Sequence, residues 1–185
     1  MSYLSENILR SYRTESLLER RSNENLKSWR YEAKHSVFLS HSHDDSDLAL
    51  GLVRYLSSLG VSVYVDWNDT AMPSATSGET ASRIKSQIQS DDYFMFLATK
   101  NGCNSRWCPW EIGVADGIKD RDKILIVPVV DPYGKFHGNE YLQIYNRAVI
   151  PNQPEKIASV GPDILAVFRP GMSQGGTNLN SYLSR

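Results

Sequence analysis

The stretch SRWCPWEIG, Ser105 to Gly113, sets one carboxylate, Glu111, just after two tryptophans and a proline. Proline is favoured at the first position of a helix, where its missing N–H costs nothing. With Pro109 there, Glu111 falls third, inside the first turn. Two explanations fit that placement. An acid in the first turn is favoured by the helix dipole whatever its role. The same dipole and the free N–H groups would also keep a carboxylate ionised in a site flanked by Trp107 and Trp110. An anion held against aromatic walls suits a cation that develops during a reaction.

A second polar cluster lies in VFLSHSHDD, Val37 to Asp45, where His41 and His43 straddle Ser42 and Asp44 and Asp45 follow. Zinc requires ligands that converge from recognisable spacings, and Cys103 and Cys108 show none that match. No metal is assigned. The plainer reading is a polar loop in which Asp44 or Asp45 caps the next helix.

Other chemistries lose their key residues. A phosphate-acceptor aspartate should end the third strand of a receiver-like fold, but that segment reads YFMFLATK. No glycine-rich loop follows the first strand, which removes the dinucleotide and nucleoside-triphosphate fingerprints. No GxSxG is present, so there is no nucleophile elbow. The net charge of -1 gives no basic excess for nucleic acid. No apolar run is long enough to cross a bilayer, and the first residues lack a signal-peptide stretch. Two cysteines make no disulfide framework. The cytoplasm is the expected location.

The elements that must position these residues follow from periodicity. SVFLS, VSVYV, YFMFLA and ILIVPVV read as buried strands, and RAVI before Pro151 as a short fifth. Between them, Leu48, Leu52, Leu56 and Leu59 form a helical face closed by Gly60. Ala81, Ile84 and Ile88 mark a second helix, and Trp110, Val114 and Ile118 a third. Asp163 to Phe168 is expected as a final short helix. Strands alternating with helices predict a doubly wound α/β domain with a five-stranded parallel sheet. Such sheets bind ligands beyond the carboxyl ends of their strands. SHSHDD, DWND and TKNGCNSRWC should therefore converge on one edge. Leu4, Ile8 and Tyr12 at helical spacing, with Glu6 four residues before Arg10, predict a helical N-terminal extension over 1–34. The domain proper spans 35–169, and 170–185 is expected to be a flexible tail.

Taken together, SVFLSHSHDDSDLA, GVSVYVDW and SRWCPWEIGVA in this order resemble the TIR (Toll/interleukin-1 receptor) domain family, over roughly Ser36 to Phe168. The resemblance implies the flavodoxin-like sheet reached independently above. Many bacterial members cleave NAD+ at the nicotinamide–ribose bond with a glutamate four residues after a tryptophan, which maps here to Glu111 after Trp107. It further implies that Ser40, His41, Ser42, Asp66, Trp67 and Trp107 line a nucleotide cleft, with NAD+ as substrate and no separate cofactor. Homotypic self-association, and a nucleotide product read by a separate effector in bacterial anti-phage defence, are also implied. Receptor and adaptor members carry an Arg-Asp and Pro-Gly pattern in the loop after the second strand. This chain has Met72-Pro73 followed by serine, which favours the enzymatic branch. Two alternatives stay open: a non-enzymatic scaffold for other TIR domains, and an enzyme resembling nucleoside deoxyribosyltransferases.

Overall fold

The computed structural model describes residues 1–15, 35–66, 77–151 and 164–185. The sheet is assembled from strands whose residues alternate between two buried faces. The central strands are β2 (His35–Ser40), β3 (Val61–Tyr64), β4 (Tyr93–Ala98), β5 (Ile124–Val130) and β6 (Asn146–Val149). They run parallel in the order β3-β2-β4-β5-β6, the flavodoxin-like winding. Val37, Leu39, Met95, Leu97, Leu125 and Val127 enter one core cluster. Phe38, Phe94, Phe96, Ile124 and Ile126, one residue out of phase, enter the other. Near-continuous apolar runs are what a parallel sheet covered on both faces demands.

The covering helices are α1 (Glu6–Glu15), α2 (Ser46–Ser58), α3 (Gly78–Ser90), α4 (Lys100–Asn104) and α5 (Cys108–Ile118). Gly60, at φ 76°, ends α2 in the left-handed conformation expected of it. Ser77 opens α3 with a reciprocal capping box to Thr80. Residues of α1 and α2 pack on the first cluster, and those of α3 and α5 on the second. Glu111 therefore approaches the sheet from the side that Phe38 and Ser40 share, because residues two apart on a strand point the same way.

Beyond the five parallel strands the sheet continues. β7 (Ala166–Phe168) lies antiparallel to β6, and β8 (Thr177–Asn178) antiparallel to β7. The helix expected at Asp163 to Phe168 is thus corrected over 166–168: Ala-Val-Phe is a buried strand paired on both sides. Asp163 itself lies outside the described residues.

The chain ends are also integrated. β1 (Leu4–Ser5) adds parallel to β5 at Val129 and Val130, so Leu4 belongs to a strand and not to the helix predicted from its spacing. β6 pairs with β5 only at Leu125 and Ile126. Pro128, with no N–H to give, stands where the outer neighbour of β5 changes. The predicted Glu6–Arg10 pair forms at 3.5 Å within α1. Residues 16–34 of the expected extension lie outside the described residues.

The C-terminal segment needs the larger correction. Residues 179–183 form α6 (Leu179–Leu183), with Leu179 and Leu183 fully buried. Asn146 donates to the Tyr182 hydroxyl at 2.8 Å, and that hydroxyl donates to the Asp122 carbonyl at 2.8 Å. A polar, glycine-rich composition hid an apolar set at i, i+3 and i+4. The expectation of a solvated tail fails over these residues.

Candidate active site at the carboxyl edge of the sheet

β2 ends at Ser40, whose side chain is 1% exposed. The Ser40 hydroxyl donates to Glu111 Oε2 at 2.5 Å, joining the edge of the sheet to the first turn of α5. Helix α5 begins at Cys108, one residue before the position predicted from Pro109. The Glu111 N–H is already bonded to the Trp107 carbonyl at 2.9 Å. The carboxylate accepts from Ser40, across the gap between helix and sheet.

Glu111 is 7% exposed. Burial pushes its carboxyl up to about 7; the Ser40 hydrogen bond pulls against this, and the charge of Asp66 adds to the rise. This corrects the expectation that the helix dipole would hold the group ionised. Desolvation of a charge outweighs a terminal dipole worth a fraction of a kcal/mol to ~2 kcal/mol. The site holds a carboxyl balanced between its two states near neutral pH.

His41 follows Ser40 and turns back. Its Nδ1 donates to the Leu39 carbonyl at 3.2 Å, and its Nε2 lies 3.8 Å from Asp66 Oδ1, with the side chain 2% exposed. Burial holds the imidazole below its ordinary value, against the pull of Asp66. Ser42 is buried and precedes a short 3-10 turn over His43–Asp45, without a capping bond from its hydroxyl. Trp107 is half-buried, packs on the second core cluster, and meets Trp110 edge-on at 5.4 Å. Trp67 and the Met72-Pro73 loop lie outside the described residues. The structure thus brings Ser40, Glu111, His41 and Asp66 into one electrostatic group and sets Trp107 at the entry to α5.

The sequence did not reveal what ties the neighbouring loops. Asp44 or Asp45 was expected to cap α2, but at the cap position the Asp45 side chain makes no capping bond. It accepts instead from the Thr99 hydroxyl and from Asn101 Nδ2, the latter at 2.8 Å. Thr99 in turn caps α4 by accepting from the Gly102 N–H at 2.9 Å. A threonine three residues before a glycine at a strand end was the available signal. Cys108 was also overlooked. It is fully buried beside Ser40 and Glu111, and burial pushes its thiol up to about 11, which leaves it protonated and no nucleophile.

Among the described residues, no cluster of three or more His, Cys, Asp or Glu is arranged to hold a metal ion. Nor is any helix there long and apolar enough to cross a membrane. A cavity of about 500 Å³ opens elsewhere, between Tyr3, Pro128, Phe136, Asn139 and Arg147, and shares no lining residue with the Ser40–Glu111 pair. Reactive groups, not volume, single out the candidate site.

The family model described as TIR domain matches residues 37–151. A Bacillus cereus protein provisionally named 3' cyclic ADP-D-ribose synthase ThsB' is 40% identical over 115 residues, covering 60% of this chain and 58% of that one. A Cytobacillus dafuensis protein provisionally named cyclic ADP-D-ribose synthase TIR2 is 28% identical over 81 residues, covering 42% of this chain and 21% of that one. The chain therefore spans less than two thirds of either relative. A solved prokaryotic SEFIR domain aligns with a TM-score of 0.44 and 17% identity, over 59% of this chain and 82% of that one, a likeness too low to build on.

Proposed function

Because this chain belongs to the TIR domain family, we propose that it consumes NAD+, breaking the nicotinamide–ribose bond at Glu111. The observation that carries the reading is a buried carboxyl, pushed up to about 7 and hydrogen-bonded to Ser40, at the carboxyl edge of the sheet. Nicotinamide departs from a pyridinium as a neutral molecule, taking the bonding electron pair, so no acid is needed to protonate it. This separates the reaction from ordinary glycoside hydrolysis, which uses a pair of carboxyl groups. What remains is to stabilise the positive charge that develops on the ribose. An ionised Glu111 in a poorly solvated position does so more strongly than the same charge in water.

The incoming substrate also helps the carboxyl ionise. A pyridinium beside Glu111 favours the charged form, offsetting part of the desolvation that opposes it. Capture of the ribosyl cation by water yields ADP-ribose and a proton. Capture by a nucleophile of the same molecule, the adenine ring or a ribose hydroxyl, yields a cyclic isomer and a proton. The names of the two relatives favour the cyclic outcome.

The family resemblance assigns His41, Ser42, Asp66 and Trp67 to the nucleotide cleft, with Trp107 as an aromatic face. Self-association through like domains is proposed to complete the site, with the product serving as a signal to a separate effector in antiviral defence. The decisive experiment incubates the purified chain with NAD+ over a range of protein concentrations and analyses products by mass spectrometry. Nicotinamide and a cyclic or linear ADP-ribose are expected. Glu111→Ala is expected to lower the rate by at least about 100-fold, the scale of losing one aimed electrostatic group. Full activity in that variant removes the assignment. Homotypic binding without NAD+ turnover at any concentration selects the scaffold instead, and base exchange on deoxynucleosides selects the deoxyribosyltransferase-like enzyme.

A further inference from the structure

We propose that Ser40 is a positioning residue for Glu111, its hydroxyl proton committed to the carboxylate and not to the nucleotide. The inference rests on the reading of Glu111 given above, and it revises the role expected for Ser40. Three observations carry it. Ser40 is 1% exposed, so little of it is open to a ligand. Its hydroxyl has one proton to donate, and that proton is directed at Glu111 Oε2 across 2.5 Å. Its placement is rigid, because it closes β2 and pairs in register with Phe96 of β4. A donor fixed to the sheet holds the carboxylate at one angle, as a site on a rigid element should.

The hydroxyl also has a neighbour on its other side. The Cys108 thiol lies in hydrogen-bonding contact with Ser40 and stays protonated, burial pushing it up to about 11. The remaining charges acting on Glu111 oppose its ionisation. Asp66, beyond the end of β3, raises its proton affinity. His41, which faces Asp66, is held below its ordinary value by burial and supplies little positive charge near neutral pH. Asp45, on the loop after β2, acts on Cys108 in the same unfavourable sense. Among the described residues, Ser40 is thus the group that favours the charged carboxylate.

A hydrogen bond made to the ionised form lowers a carboxyl's proton affinity, and losing it raises that affinity. The test compares Ser40→Ala and Ser40→Thr with the unaltered chain, measuring kcat and KM for NAD+ between pH 5.5 and 9. In Ser40→Ala the acid limb of kcat/KM, which reports the free enzyme, is expected to move up by about one pH unit. Activity at pH 7 then falls about five-fold and returns at pH 9, while KM stays within about two-fold. Ser40→Thr, which keeps the hydroxyl, is expected to restore the original limb. A KM raised ten-fold with the acid limb unmoved would mean that the hydroxyl touches substrate, and would overturn the proposal.

The pairing is also readable without turnover. The Glu111 carboxyl carbon, assigned against Glu111→Gln in labelled protein, is titrated by NMR in the presence and absence of the Ser40 hydroxyl. An unchanged titration in Ser40→Ala rejects the proposal. If the unaltered chain releases no nicotinamide, the enzymatic reading fails, and this titration still decides whether Ser40 controls Glu111. Should Ser40→Ala fail to fold, Ser40→Cys, close in size with a weaker donor, serves the same comparison.

Discussion

A carboxyl raised by burial to about 7, as Glu111 is, destabilises the fold wherever it is charged. The folded state holds the proton more tightly than the unfolded chain does, so the stability linked to that proton is complete below the unfolded value. It is lost as pH rises through about 4.5 to about 7. Glu111→Gln keeps the shape and the Ser40 contact without the charge. The variant is expected to exceed the unaltered chain in unfolding free energy by about 3 kcal/mol at pH 8, and by little at pH 4.5. Denaturant unfolding at the two pH values measures the difference; an equal gap at both refutes the linkage. Such a gain on removing a site residue is expected of a charge kept for its chemistry. The sequence revealed the candidate through Trp107, Pro109 and the first turn. It did not reveal the depth of burial, because that depends on Ser40, 71 residues earlier.

At the level of elements, the loops after β2 and β4 act as one unit because Asp45 accepts from both Thr99 and Asn101. Cutting that link leaves two donors unmatched near a buried position, where an unpaired polar group costs ~1–3 kcal/mol. Asp45→Ala is therefore expected to lower stability by about 2 kcal/mol. It should also lower kcat at least ten-fold or so, since the loop that begins with Ser40 and His41 loses its anchor. Denaturation together with steady-state kinetics checks both, and normal kcat in a destabilised protein would show the tie to be structural alone. The parallel strands were legible because their apolar runs serve two buried faces. The links between loops were not, because an aspartate after a strand looks the same whether it caps its own helix or reaches across. The join between α1 and α2 was equally hidden. A Cβ at Gly51 would sit 2.1 Å from the Leu9 carbonyl, so the helices approach there only because residue 51 is glycine.

Across the whole molecule, buried leucines from both described chain ends serve the core on the side away from Glu111. Leu4 and Leu9 from the start of the chain, and Leu179 and Leu183 from its end, join the cluster that contains Val37, Met95 and Val127. Glu111 sits on α5, whose Ile112 and Ala115 belong to the opposite cluster. The sheet separates the layer that buries these leucines from the layer that carries the candidate chemistry. Weak patterning concealed this: β1 and β8 span two residues each, and α6 only five, too short for periodicity to register. The division has a measurable consequence. Leu183→Ala removes a fully buried side chain and should cost about 3 kcal/mol, or on the order of 10 °C in Tm for a chain of this size. Because no charge near Glu111 changes, the acid limb of NAD+ turnover is expected to stay where it is at temperatures below the new transition. Thermal unfolding and a pH–rate profile of the same variant test the two halves together. A displaced acid limb would mean that the two layers are coupled through the sheet, and that the C-terminal helix helps to set the protonation of the site it does not touch.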